Sequence, residues 1–137
     1  MAGTLFFCPD ILKSPVLPEQ ESQHCVKVLR TREGETLTVT DGKGFFYDCE
    51  LVQAHPKQCI VAIRHQSEIP VNRHFALHIA FAPSKQMDRN EWFVEKATEI
   101  GIDRFTPLVC RHSERKEIKQ ERLQKVVVAA MKQSLQA

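Results

Sequence analysis

The amino-acid sequence predicts a mixed α+β protein in two parts, a small barrel or sandwich of β-strands followed by an α/β unit. Short strand patterns separated by turn signals fill residues 36–65, a nearly all-apolar run covers 75–82, and two helical patterns follow it. The 137 residues are 42% hydrophobic and 26% charged. This size and composition fit one ordinary domain or two small ones, and they exclude disordered, collagen-like and coiled-coil proteins.

The first part begins with an extended segment up to Pro9 and a short helix whose first turn can contain Pro18. Helical spacing predicts the residues of one face of that helix: Ser22, Cys25, Val26 and Leu29. We expect Gly34 to end the helix. Residues 36–40 then alternate between threonine and aliphatic side chains, which is typical of a half-buried strand.

The strand pattern continues beyond residue 40. Residues 41–44, Asp-Gly-Lys-Gly, predict a tight turn because glycine adopts a positive φ without steric cost. One strand is expected over 45–54 and another over 59–65. Pro70 indicates a linker, so we place the boundary between the two parts near residues 69–73.

The second part is predicted to contain a strand–helix–strand unit. The apolar run 75–82 is typical of a strand buried on both faces, as in a parallel sheet. A helix over 88–100 follows and ends at Gly101. Its predicted apolar face contains Phe93, Ala97 and Ile100. A second short buried strand is expected over 105–109.

A final helix carries an apolar stripe at helical spacing, formed by Leu123, Val126, Val127, Ala130, Met131 and Ser134. Such a stripe has to be buried against another element, and we expect a sheet as that partner. The two predicted strands of this part form only a small sheet. The second part is therefore expected to be incomplete.

Positive charge is distributed unevenly along the chain. Residues 1–99 contain 11 basic and 13 acidic side chains, whereas residues 100–137 contain 8 and 4, within a net charge of +2. A further basic cluster, Lys27, Arg30 and Arg32, lies at the end of the first helix. Phosphate contacts require only lysine or arginine, so both regions are candidates for RNA binding, and a solvated helix face is the alternative.

Several other classes of protein are excluded. No apolar run approaches the roughly 18 residues of a membrane helix, and the first residues lack the pattern of a secretory signal. Five irregularly spaced cysteines favour reduced thiols in the cytoplasm. No cysteine pair has the spacing of a zinc site, and His74 and His78 would lie about 13 Å apart on a strand. The sequence therefore predicts a cytoplasmic protein without a membrane anchor or a bound metal.

Particular segments of the sequence indicate a protein family, which the spacing of residues alone does not. They are His24–Arg30, Gly34-Glu35, Asp41-Gly42, Lys85, Met87, Glu95–Gly101, Thr106–Leu108, Arg122, Ala129-Ala130 and Gln133-Ser134. The most specific of them is Glu-Lys-Ala-Thr-Glu-Ile-Gly, followed by Thr-Pro-Leu. Together they resemble the RsmE family, the 16S ribosomal RNA uridine-N3 methyltransferases, over essentially the whole chain.

The resemblance implies a PUA-like, RNA-binding β-barrel over residues 1–70 and the first part of a SPOUT-type α/β methyltransferase domain over 74–137. Members of the family act as homodimers on the 16S ribosomal RNA of the small ribosomal subunit. They transfer the methyl group of S-adenosylmethionine to uridine N3. That nitrogen must first lose its proton, which requires a base or stabilisation of the uridine anion, and no residue here is an obvious base.

The sequence also departs from the family pattern. The family's cofactor site lies in a C-terminal knot with Gly-Pro-Glu-Gly-Gly and Leu-Arg-x-Glu-Thr-Ala segments, and neither occurs in these 137 residues. We therefore assign neither cofactor binding nor catalysis to this chain alone and expect the activity to belong to an intact, longer protein. Arg111-His112-Ser113 replaces the usual Glu-Arg-Ser, and Leu135-Gln136 replaces a Gly-Arg that often follows Gln-Ser.

The predicted RNA-binding residues are Lys27, Arg30, Arg32 and Arg111. Gln133 and Ser134 are weaker candidates for lining the substrate region, with helix packing as an equal alternative. The competing function is a non-catalytic PUA-like RNA-binding module, and a third is an unrelated α/β interaction protein. Completion of the α/β unit would separate the first two.

Overall fold

The computed structural model describes residues 4–68, 75–111 and 119–134. These residues belong to two compact units, the first ending at residue 68 and the second beginning at residue 75. The predicted linker at 69–73 and residues 112–118, which belong to the basic C-terminal region, lie outside the described residues.

The first unit contains a four-stranded sheet. Its strands are β1 (Leu5–Phe7), β2 (Thr36–Thr40), β3 (Phe45–Gln53) and β4 (Ile60–Glu68), in that order across the sheet. β1 runs parallel to β2, whereas β3 is antiparallel to both of its neighbours. The predicted strands are confirmed. The last ends three residues later than expected, because β3 also pairs with residues up to Glu68.

The predicted turn between β2 and β3 is confirmed, and the Asp41 carboxylate holds it. Oδ1 of Asp41 accepts a hydrogen bond from the Lys43 amide at 2.7 Å, and Oδ2 accepts one from the Tyr47 hydroxyl at 2.9 Å. Gly42 has a φ of 72°, and a Cβ there would lie 2.9 Å from the Phe7 ring. Both the backbone conformation and the space available therefore require glycine at this position.

One hydrophobic core fills the first unit. Its buried members are Phe6, Cys8, Ile11, Leu17, Cys25, Leu37, Val39, Tyr47, Cys49, Leu51, Cys59 and Val61. The five cysteines are free thiols, as the sequence predicts, and four of them are buried. Burial raises the pKa of the Cys25 thiol to about 11 and that of Cys49 to about 12. Both thiols are therefore protonated at neutral pH, and in this state they act as small apolar side chains.

The first helix differs from the prediction. α1 (Glu19–Gln23) follows Pro18 directly and continues into a π-helical turn over His24–Val28. The predicted end at Gly34 is wrong, because the helical segment ends at Val28. Leu29, predicted on the buried face, is 40% exposed. The wider π-turn changes the angle between successive side chains, so regular α-helical spacing no longer predicts which of them face the core.

The second unit contains a parallel strand–helix–strand motif, as predicted. Its elements are β5 (His78–Phe81), α2 (Met87–Ile100), β6 (Arg104–Pro107) and α3 (Gln120–Gln133). β5 and β6 pair in parallel to form a two-stranded sheet. Phe93 of α2 packs between the two strands, with its ring 5.0 Å from that of Phe81 and 6.1 Å from that of Phe105.

Three burial predictions for the second unit are wrong. β5 is not buried on both faces, since His78 and Ala80 are exposed and only one other strand accompanies it among the described residues. Ile100 is 81% exposed. β6 ends at Pro107, so Val109 lies beyond it on the surface. The buried side of α2 contains Ala97, as predicted, together with Asn90, Val94 and Thr98.

The two helices of this unit pack against each other. The apolar stripe of α3 buries Leu123, Ala130 and Met131, but its main contact is α2 and not the sheet that we expected. Gly101 ends α2 with a φ of 104° and donates its amide to the Ala97 carbonyl, which confirms the predicted cap. Neither α2 nor α3, nor any other helix in the described residues, is long and apolar enough to cross a membrane.

Candidate nucleic-acid interface

The three basic residues predicted on the first unit lie together on its surface. Lys27 is in the π-helical turn, Arg30 lies two residues beyond that turn, and Arg32 follows in the next loop. All three side chains are exposed. We refer to residues 27–32 as the basic segment.

The fold anchors the basic segment on its N-terminal side. Cys25, two residues before the basic segment, is completely buried. The Ser22 hydroxyl donates to the Leu17 carbonyl at 3.1 Å and accepts from the Cys59 amide at 2.9 Å, which ties the helix to the start of β4. The Thr31 amide donates to the carbonyl of the buried Cys25 at 3.0 Å, so the turn is held against the core.

The C-terminal side of the basic segment is fastened to β3. The Gly34 amide donates to the Leu51 carbonyl at 2.8 Å, and the Leu51 amide donates to the Glu35 carbonyl at 2.9 Å. The Glu33 carboxylate accepts the Ala54 amide at 3.3 Å. Hydrogen bonds thus fix the basic segment at both of its ends.

Arg30 has an uncommon backbone conformation. Its φ is 52°, and it is the only non-glycine residue with a positive φ in the described part of the chain. For an L-residue with a long side chain the left-handed region costs on the order of 1 kcal/mol, and glycine usually occupies this place after a helix. Strained residues of this kind concentrate at functional sites. No periodicity in the sequence signals this conformation.

The cations of the basic segment form no close ion pair within the described first unit. The ion pairs found within the described first unit join Arg64 to Glu50 at 2.5 Å and His65 to Asp48 at 3.7 Å. None of them involves Lys27, Arg30 or Arg32 in that part of the chain. Three exposed cations are therefore available to bind a polyanion.

Arg111 lies on the second unit and is exposed. It follows β6 by four residues, and the Leu108 amide donates to the Phe81 carbonyl at 2.7 Å, so the chain leaves both strands at the same edge. Lys85, on the loop between β5 and α2, follows the other strand at that carboxyl edge. Ligands of parallel α/β sheets usually bind at this edge. Sequence reasoning did not select Lys85 as a site residue, although its place just after an apolar run was a usable signal.

A neighbouring arginine is already paired. Arg122, near the start of α3, forms an ion pair with Glu91 in the N-terminal part of α2, which joins the two helices. Its charge is thereby partly compensated, and we do not include it among the candidates.

The two weaker candidates lie at the end of α3. The Ser134 hydroxyl donates to the Ala130 carbonyl at 2.7 Å, which occupies it within the helix end and favours the packing role. Gln133 is exposed. No group of three or more His, Cys, Asp and Glu side chains suited to a metal ion occurs in residues 4–68, 75–111 and 119–134.

Comparison with known protein families matches each unit separately. A family model described as RNA methyltransferase PUA domain matches residues 17–64, and one described as RNA methyltransferase domain matches residues 71–137. The Ribosomal RNA small subunit methyltransferase E of Bacillus subtilis (strain 168) is 30% identical over 125 residues, which cover 84% of this chain and 47% of that protein. The chain thus spans about half the length of this relative.

Solved structures agree with these matches. A probable rRNA-methyltransferase from Porphyromonas gingivalis superposes with a TM-score of 0.93 at 42% identity, over 98% of this chain and 57% of that one. A predicted RNA methyltransferase from Thermotoga maritima gives a TM-score of 0.81 at 26% identity, over 97% and 61%. A Ribosomal RNA small subunit methyltransferase E from Neisseria gonorrhoeae, bound to S-adenosyl methionine, has the same fold, with a TM-score of 0.82 at 24% identity, over 97% and 57%.

These likenesses confirm the predicted fold, a PUA-like unit followed by the first part of a SPOUT-type unit. Both halves match the two domains of one kind of enzyme, in the order in which the chain carries them. The chain therefore belongs to the RsmE family of RNA methyltransferases.

Proposed function

We propose that this chain is the RNA-binding part of a ribosomal RNA methyltransferase that methylates N3 of a uridine in 16S ribosomal RNA, with S-adenosylmethionine as methyl donor. The observation that carries the proposal is the basic segment, which a PUA-type unit holds at both ends on its surface. The name of the Bacillus subtilis relative, Ribosomal RNA small subunit methyltransferase E, supports an RNA substrate in the small ribosomal subunit.

In this proposal Lys27, Arg30 and Arg32 bind phosphates of the RNA backbone. Such contacts position the substrate without reading its sequence. A fixed segment loses less conformational freedom on binding than a mobile loop does, so its two anchored ends favour affinity.

Arg111 is the proposed contact on the second unit, and Lys85 joins it from the same sheet edge. Both residues follow a parallel strand at its carboxyl end. The substrate RNA of a methyltransferase has to lie next to the methyltransferase domain. Cations at this edge are therefore suited to hold phosphates near the target nucleotide. Gln133 stays a weaker proposal for the substrate region.

The described residues do not by themselves fit S-adenosylmethionine. A cofactor pocket encloses most of its ligand, whereas Leu108, Val109 and Cys110, which follow β6, are all exposed. No step of methyl transfer is therefore assigned to residues of this chain, and we propose that the activity requires a longer protein. A cytoplasmic homodimer is part of the same proposal.

Primer extension on 16S ribosomal RNA tests the proposed reaction. A methyl group on N3 blocks Watson–Crick pairing, so reverse transcriptase should stop beside the modified uridine. We expect one stop in RNA from cells that carry the gene, its loss when the gene is deleted, and its return on complementation. Identical stops with and without the gene would contradict the proposed reaction.

A further inference from the structure

Two aliphatic side chains are exposed inside the basic segment. Val28 is 66% exposed and Leu29 is 40% exposed, and they lie between Lys27 and Arg30 in the chain. Aliphatic residues of this size are usually buried. Cys25, in the same helical segment, is completely buried, whereas Val28 and Leu29 are not.

The backbone keeps these side chains on the surface. The Leu29 amide donates to the His24 carbonyl at 3.0 Å, across the π-helical turn, and the Thr31 amide donates to the Cys25 carbonyl at the same distance. Turning Val28 and Leu29 inward would break this turn. The basic segment therefore exposes two aliphatic side chains and its three cations within one hydrogen-bonded stretch of backbone.

Such a surface matches unpaired RNA better than duplex RNA. A duplex stacks its bases inside the helix and presents phosphates and ribose hydroxyls outside, whereas an unpaired nucleotide exposes the apolar face of its base beside its phosphates. A cationic surface needs no aliphatic side chains to bind a duplex.

We propose that the basic segment binds unpaired RNA, with Val28 and Leu29 packed on the face of an unstacked base and with Lys27 and Arg30 on the flanking phosphates. This inference rests on the proposed function, because it assumes that the basic segment binds RNA. It adds the structural class of RNA and the two side chains that select it.

Fluorescence anisotropy of the 137-residue chain tests the inference with two labelled probes, an unstructured 12-nucleotide RNA and a blunt 12-base-pair RNA duplex. The double variant Val28→Ser/Leu29→Ser should bind the unpaired RNA about tenfold more weakly, since apolar contact area is lost, and should bind the duplex within about twofold of the unchanged chain. Leu12→Ser is the matched control, because Leu12 is an exposed aliphatic residue of the same unit outside the basic segment. It should change neither affinity.

The outcomes separate this inference from the proposed function. If the double variant binds both probes as the unchanged chain does, while Lys27→Ala/Arg30→Ala weakens binding, the basic segment still binds RNA and only the inference is overturned. If the unchanged chain binds neither probe, both are overturned. If vesicles with anionic headgroups bind the chain through Val28 and Leu29 while RNA binding does not depend on them, the surface serves a membrane and the inference is overturned.

A second measurement does not depend on the variants. Methyl signals of Val28 and Leu29 should shift in NMR spectra when the unpaired RNA is added, and those of Leu12 should not. Unchanged Val28 and Leu29 signals at saturation with RNA would overturn the inference, even if the double variant were too unstable to study.

Discussion

At the scale of single residues, Arg30 stands out because its backbone has a conformation that favours glycine. Its φ of 52° turns the chain out of the π-helical turn. A glycine would make this turn with less strain, but it would lack a guanidinium group. We infer that an arginine at this position serves binding, at a cost in stability.

Arg30→Gly should therefore stabilise the chain and weaken RNA binding. We expect the free energy of unfolding to rise by about 0.5–1 kcal/mol, because the left-handed strain is removed, and RNA affinity to fall. Urea denaturation and anisotropy measure the two effects. Arg32→Gly is the control, since Arg32 has no positive φ; it should weaken binding without stabilising the chain. Equal stability changes for both variants would refute the strain at Arg30.

Tyr47 gives a prediction about pH. It is completely buried, and burial raises the pKa of its hydroxyl to about 12, with a further contribution from its hydrogen bond to Asp41. An unfolded tyrosine has a pKa of about 10, so the folded state binds this proton more tightly. The resulting stability is fully present below about pH 10 and is lost as the pH rises toward 12.

Tyr47→Phe should accordingly make unfolding less sensitive to alkaline pH. The unchanged chain should lose more free energy of unfolding between pH 10 and 12 than the variant does, as measured by urea denaturation across that range. The buried thiols of Cys25 and Cys49 also titrate there, but they are present in both proteins and cancel in the difference. Parallel pH profiles would show that the Tyr47 pKa is not raised by folding.

At the scale of secondary-structure elements, local patterns predict the hairpin well. Alternation over 36–40 and the glycines of the turn fix β2, β3 and their connection without help from the rest of the fold. The first helix is different, because nothing in its composition reveals a π-helical turn. Regular helical spacing therefore predicts a buried Leu29, whereas that side chain is exposed. Ile100 was misplaced for another reason, since its exposure depends on what packs against α2, and helical spacing alone does not determine that.

The candidate site, too, can be predicted from the sequence only in part. Its basic residues could be selected from charge, because their chemistry is visible in the sequence. The left-handed Arg30 and the exposure of Val28 could not be selected, since both follow from hydrogen bonds that only the folded turn provides. Arg111 could be selected, but its common edge with Lys85 depends on the parallel pairing of β5 with β6.

The end of α2 provides a test at this scale. Gly101 has a φ of 104°, and a Cβ there would meet no atom within 4 Å, so any cost of substitution comes from the backbone. Gly101→Ala should lower the free energy of unfolding by about 1 kcal/mol, and Gly101→Asn by less, because asparagine tolerates the left-handed region. Urea denaturation measures both. A larger loss for asparagine than for alanine would contradict this account of the cap.

At the scale of the whole molecule, the two units differ in how much apolar surface they bury. The first has a continuous core of twelve buried residues. Among the described residues of the second, the buried apolar side chains are Val94, Ala97, Leu123, Ala130 and Met131. Hydrophobic burial is the main favourable term in folding, so the first unit should be the more stable of the two.

Hydrogen exchange followed by mass spectrometry checks this difference. Amides of β3 should exchange most slowly, through opening of the first unit, whereas amides of α2 and α3 should exchange earlier. A destabilising change in the first core, such as Leu51→Ala, should accelerate exchange in β3. Slower exchange in α2 than in β3 of the unchanged chain would reverse the predicted order.

The central claim is that the basic segment binds RNA through its phosphates, and the salt dependence of binding tests it most directly. Each phosphate contact to single-stranded RNA contributes about 0.7 to the slope of log affinity against log salt. Lys27→Ala/Arg30→Ala/Arg32→Ala should therefore lower the affinity and reduce the slope by roughly 2. The charge-matched control, Lys13→Ala/Lys43→Ala/Lys57→Ala, changes three exposed lysines elsewhere on the first unit and should leave both nearly unchanged. The same affinity and slope in the first variant as in the unchanged chain would contradict the claim.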